Sequence, residues 1–249
     1  MITNEKNVPL ADLQSIPVAG EGDFVLTSTK QPPSWKWQGI GHHELLSSLI
    51  AEAHTTGMRV DETQIALSSD KLDMAVSLSI FHPRYSQFLP DGLSLSLGIE
   101  TSNAGRQAFT TYYGVTTIWG AGIPLGYLLP QRRHTFGIDL ERITEEILIE
   151  FRKQAADTPF QIRRLKNTPL TIEEVSTFLV EAGDRNYLPS SRIVRVLREC
   201  NNPQFGSKDE SSWGLLHAFA VIARMNPPLS QMDQVYSFRK MLPVKGERK

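Results

Sequence analysis

"MAVSLSIFHPRYSQFLPDGLSLSLGIE", residues 74–100, holds two runs of strict alternation on either side of a segment marked by proline and glycine. Met74, Val76, Leu78 and Ile80 share one side against Ala75, Ser77 and Ser79, and Leu93, Leu95, Leu97 and Ile99 repeat the scheme against Ser94, Ser96 and Gly98. A period of two predicts two half-buried antiparallel strands. Working outward, a shorter strand around Gln64–Leu67 precedes them. A long one over Gln107–Trp119, rich in Thr, Tyr, Phe and Val, follows. Four strands are expected.

On both flanks the period becomes helical. Leu45, Leu46, Leu49, Ile50 and Ala53 fall on one face, and Gly57 stands where a left-handed C-terminal cap belongs. After the strands, Leu140, Ile143, Ile147 and Phe151 form an apolar stripe. A further helix opens at Thr171-Ile172-Glu173-Glu174, which has capping-box spacing, and closes near Gly183. Another runs from about Ser191 to Cys200. The last carries Trp213, Leu216, Phe219, Ala220 and Ala223 behind a serine cap at Ser211 or Ser212. The expected fold is α+β: a helix, an antiparallel sheet, then a C-terminal helical part packed on it. Residues 1–40 read as an irregular arm, 41–225 as one α+β domain and 226–249 as a C-terminal extension.

The 249 residues carry a net charge of −1, but the charges are uneven: residues 1–100 hold 6 Lys/Arg against 12 Asp/Glu, and residues 101–249 hold 20 against 15. Such a chain can present one basic surface. The single cysteine, Cys200, excludes an internal disulfide framework and a cysteine-cluster zinc site. No run of about 18 apolar residues is present and the first residues lack a basic-then-apolar pattern, so a cytoplasmic protein without membrane partners is expected.

Several chemistries find no motif. There is no phosphate loop ending in Gly-Lys-Ser/Thr, no dinucleotide fingerprint, no His-Glu-x-x-His and no nucleophile elbow. Cys200 follows Glu199 on a helix, which raises its thiol pKa. His42 and His43 diverge by about 100° and do not share a metal; they cap or face solvent. No metal and no cofactor is expected. His217 reads as a histidine at the edge of the core.

Cationic clusters are the positive signal. Arg132, Arg133 and His134 lie together in "QRRHTFG", suited to phosphate or carboxylate oxygens. Arg192, Arg195 and Arg198 recur every three residues along a helix, opposite Ile193, Val196, Leu197 and Cys200. Arg152, Lys153, Arg163, Arg164 and Lys166 add charge, while Phe109, Tyr112, Tyr113 and Trp119 lie in or near the sheet. Guanidinium groups beside exposed rings are what single-stranded nucleic acid needs. At the hairpin turn, Ser102, Asn103 and Gly105 have two readings. One is local turn chemistry, because Asn and Gly tolerate left-handed backbone; the other is an anion-binding tip with Arg106.

Taken in order, "TSNAGRQAF", "VTTIWGAG", "RRHT" and "SSWGLLHAFAVIAR" resemble the landmarks of the phage/plasmid-like protein family, a domain of unknown function on mobile elements. Ser102, Asn103, Gly105, Gly122, His134, Thr135 and Trp213 carry the match, over roughly residues 40 to 225. Trp119 and Ala121 stand where that family tends to have Cys and Asn, so a thiol-dependent role at that step does not carry over. The helix–sheet–helix order is also similar to that of phage single-strand-annealing recombinases, which form rings with DNA in a basic groove. The resemblance implies a mobile-element protein, an oligomer and a part in recombination.

The leading expectation is a non-catalytic protein that binds single-stranded DNA and anneals strands. Arg106, Arg132, Arg133, His134, Arg192, Arg195 and Arg198 would hold phosphates, and Tyr113 and Trp119 would stack on bases. The alternative is a protein-interaction factor, anti-restriction or defence-related, with no DNA binding. An enzyme acting through His134 with a carboxylate such as Asp139 ranks last.

Overall fold

The structure is a computed structural model that describes residues 40–68, 70, 72–104, 108–118, 120–131, 139–204, 208–224 and 228–244. Helix α1 (His42–Thr55) leads into strands β1 (Arg59–Leu67), β2 (Asp73–Phe81), β3 (Leu93–Ser102), β4 (Thr110–Thr117) and β5 (Gly122–Tyr127). Five helices follow: α2 (Leu140–Lys166), α3 (Ile172–Asp184), α4 (Ser190–Asn201), α5 (Ser212–Ala223) and α6 (Pro228–Met241). The expected α+β order, a helix, an antiparallel sheet and a C-terminal helical part, is the order observed.

The sheet is an antiparallel meander, β1-β2-β3-β4-β5. It has five strands rather than four: the segment read as one long strand ends at Thr117, and Gly122–Tyr127 returns beside it. Leu78 pairs with Leu97 and Leu97 with Tyr113. That face carries the branched side chains and meets α1 and α2, where Ser48 Oγ and Thr144 Oγ1 are 3.2 Å apart. Leu45, Leu46 and Leu49 from α1 and Ile147, Phe151 and Ile162 from α2 close the core over it. Pro159 is buried inside α2, a helix of 27 residues that continues through it.

The opposite face is built of small and polar residues, and it is also covered. Residues 226–249 are more than an extension, because α6 lies across this face and its Val235 and Phe238 are fully buried. A Cβ placed on Gly98 would fall 2.2 Å from Met232 Sδ, so the helix sits directly on the sheet. β4 and β5 then bend over the same face. The register shifts at Tyr113/Gly114, and a Cβ on Gly114 would lie 2.1 Å from the Ile123 carbonyl oxygen. At the far end of the bend, positions for a Cβ on Gly120 (φ +73) and on Gly122 lie 3.0 Å from Gln64 Nε2 and 4.0 Å from Ser77 Oγ. The β4–β5 turn thus reaches back across β1 and β2.

Candidate nucleic-acid interface

The basic helix α4 is presented by a close helix pair. The capping box read from the sequence opens α3: Thr171 Oγ1 accepts from the Glu174 amide (3.2 Å) and Glu174 Oε2 from the Thr171 amide (2.7 Å). Gly183 lets the two helices approach, since a Cβ there would be 2.6 Å from Ile193 Cδ1. Val196 and Glu199 are buried under α4, with Ile193, Leu197 and Cys200 partly so. The three-residue spacing leaves Arg195 and Arg198 exposed and Arg192 half-buried. Arg198 has no ion pair among the described residues.

A second basic element is the end of α2. Ile162 and Leu165 are fully buried, which turns Phe160 outward at 60% exposure. The Arg163 guanidinium lies 5.8 Å from the Phe160 ring centroid, and Arg164 and Lys166 complete the last turn. Cations three and four residues from an aromatic residue share its helix face. The signal for Phe160 in the sequence is its three- and four-residue spacing to Arg163 and Arg164. Arg59 over the Phe81 ring (4.9 Å) makes a similar pair, but that guanidinium is tied to Asp61 at 2.5 Å.

Other expected site residues have other employment. Tyr113 is 8% exposed and its hydroxyl accepts from Gln161 Nε2 (2.9 Å), so it is a core residue under α2 that offers no ring face to a base. Ser102 and Asn103 are buried. Ser102 Oγ donates to Asp73 Oδ1, and Asn103 takes the Ile40 amide on Oδ1 (2.9 Å) while its Nδ2 donates to the Ile40 carbonyl (2.8 Å). Their polar atoms serve the fold and not an anion. Gly105, Arg106, Trp119, Arg132, Arg133, His134 and Thr135 lie outside the described residues.

The remaining reactive side chains show how burial acts. Asp139 is the N-cap of α2, accepting from the Arg142 amide (3.1 Å). Burial, with Glu199 beside it, pushes the Cys200 thiol up to about 12, far from a working nucleophile. His217 is half-buried and burial lowers its pKa, against the opposing pull of Glu199 and Asp209. His42, expected to cap or face solvent, is buried. Among the described residues no cluster of three His, Cys, Asp or Glu is placed to hold a metal, and no helix is long and apolar enough to cross a membrane.

Fold and site define an α+β protein whose meander carries a helical half with two locally basic elements, α4 and the last turn of α2. No family model matches the chain, and neither the curated proteins nor the solved structures yield a match.

Proposed function

We propose that the protein is a non-catalytic nucleic-acid-binding protein that holds single-stranded DNA on its helical half and promotes annealing. The observation that carries this is the outward Phe160 ring with Arg163 over it and Arg164 one turn on. Such a group offers a stacking surface beside a phosphate-binding fork, the pairing a flexible single strand can use and a stacked duplex cannot. The α4 arginines supply further cationic positions. Phe160 takes over the stacking role assigned to Tyr113. The resemblance to the phage/plasmid-like family and to strand-annealing recombinases supports a mobile-element setting and a homo-oligomer, and the sequence pattern of the first residues is compatible with cytoplasmic work. No cofactor enters this reading.

The test is fluorescence anisotropy of a labelled single-stranded oligonucleotide, with the matching duplex alongside, at about 50 and 200 mM salt. Salt-dependent binding that favours the single strand, and that falls in Phe160→Ala, is the expected result. No binding at the lower salt overturns the proposal and leaves the protein-interaction reading, to be pursued by co-purification of partners.

A further inference from the structure

We infer that the cleft lined by Ile118, Gly120 and Gly122, by the small-residue face of β1–β2, and by Arg224, Gln231 and Met232 is a nucleotide-binding site. This goes beyond strand binding by the helical half and does not depend on it. The cleft encloses about 500 Å³, within the range of small-molecule sites and large enough for one nucleotide.

Its lining combines three kinds of group. Arg224, the residue that ends α5, is exposed at the cleft and has no side-chain hydrogen bond or ion pair among the described residues. A guanidinium in that state is suited to bidentate contact with phosphate. On β1, Gln64 Nε2 donates to Glu62 Oε1 (3.0 Å). That bond orients the amide and leaves its oxygen and the second carboxylate oxygen as acceptors. Gln231 and Ser77 add hydrogen-bonding capacity. Acceptors beside an amide complement the amino and imino edge of a nucleobase. Met232, seated on Gly98, and Ile118, 71% exposed, provide polarisable and apolar surface for its faces.

The composition argues against other occupants. A divalent cation would need more than the single carboxylate of Glu62. A purely apolar ligand would cover the Arg224 guanidinium and the remaining acceptors of the Glu62–Gln64 pair without giving them a partner. A free anion alone would use Arg224 and ignore the acceptors. A base joined to a phosphate uses every group named. Gly122 borders the cleft, and a Cβ there meets only Ser77 Oγ at 4.0 Å, so the fold tolerates a side chain at this position while a longer one enters the cleft.

The experiment is calorimetric titration of the full chain with guanosine and adenosine 5′-monophosphates, the matching nucleosides and inorganic phosphate. At least one monophosphate should bind about tenfold tighter than its nucleoside and than phosphate. Arg224→Ala should reduce the monophosphate to the level of the nucleoside, and Gly122→Leu should abolish binding with an unchanged melting transition. Gln64→Ala provides a second route if Gly122→Leu fails to fold. Phe160→Ala should leave mononucleotide binding intact while weakening an oligonucleotide, which separates this site from the strand-binding surface. If Gly122→Leu also weakens the oligonucleotide, the occupant is one unit of a strand; if only the mononucleotide is lost, it is a free nucleotide. No heat from any monophosphate, equal binding of phosphate alone, or indifference to both Gly122→Leu and Gln64→Ala overturns the proposal.

Discussion

Asn103, at the end of β3, makes a closed pair of hydrogen bonds with the backbone of Ile40, 63 positions earlier in the chain: Oδ1 accepts from its amide and Nδ2 donates to its carbonyl. All the groups are buried, so the chain entering α1 is fixed to the sheet by a side chain acting as a piece of backbone.

Asn103→Ala should therefore lower stability by about 3 kcal/mol, because a buried amide and a buried carbonyl both lose their partner. Asn103→Asp should be no better, since it removes the Nδ2 donor and places an oxygen against the Ile40 carbonyl. Urea denaturation midpoints read both. A loss of DNA binding at unchanged stability would instead restore the anion-tip reading of this turn.

Glu100 gives the fold a pH dependence. Its carboxyl is buried beneath α6, Tyr112 donates to Oε2 (3.0 Å), and Oε1 has no side-chain partner among the described residues. Burial pushes its pKa from the ordinary 4.5 to about 8, and the charge of Asp233 on α6 adds to that; the Tyr112 hydrogen bond opposes it. Between those two values the unfolded chain has released a proton that the folded chain keeps. The contribution of Glu100 to stability is thus greatest below about 4.5, falls as pH rises towards about 8, and is flat above. The slope should approach about 1.4 kcal/mol per pH unit and should vanish from this source in Glu100→Gln, which keeps an acceptor for Tyr112. Denaturation midpoints across that range for the two proteins are the measurement.

The bend of β4 onto the sheet makes two glycines unequal. At Gly114 a Cβ would meet the Ile123 carbonyl at 2.1 Å, and backbone on both sides has nowhere to retreat; at Gly122 it meets only ordinary contact. Gly114→Ala should cost roughly 3 kcal/mol, and Gly122→Ala should stay within about 0.5 kcal/mol of the parent. Equal melting temperatures for the two variants would contradict the bend.

Where each of these features could be read in the sequence depended on how local its cause was. The leucine–serine alternation of β2 and β3, the Thr171 capping box and the Gly57 turn involve neighbours a few residues apart, and each is present as expected. β5 carries no alternation to mark it, because Gly122, Pro124 and Gly126 interrupt the pattern, although Gly126 is there to accommodate the Tyr113 ring. α6 was missed behind its prolines, while the Val235–Phe238–Leu242 spacing was available. Tyr113 was misjudged because both faces of β4 are buried, so alternation does not identify a wet side. Asn103 admits both turn chemistry and an anion-binding tip in the sequence because its partner is so far away in the chain.

The strand-binding surface makes a quantitative prediction about salt. If Arg195 and Arg198 each neutralise one phosphate, removing both should reduce the dependence of log affinity on log salt by about 1.4 for single strands, as each contact contributes about 0.7. Phe160→Ala should weaken binding with the salt dependence unchanged, because stacking releases no counterions. Phe160→Tyr should restore it, since the ring is retained and the hydroxyl can face water. Neither change should move the melting temperature much: Phe160, Arg195 and Arg198 are all exposed, and the buried positions beneath them, Ile162, Leu165 and Val196, are untouched. Affinity measured at several salt concentrations separates the two contributions. An Arg195→Ala/Arg198→Ala variant with an unaltered slope would remove α4 from the interface and leave the end of α2 to carry it.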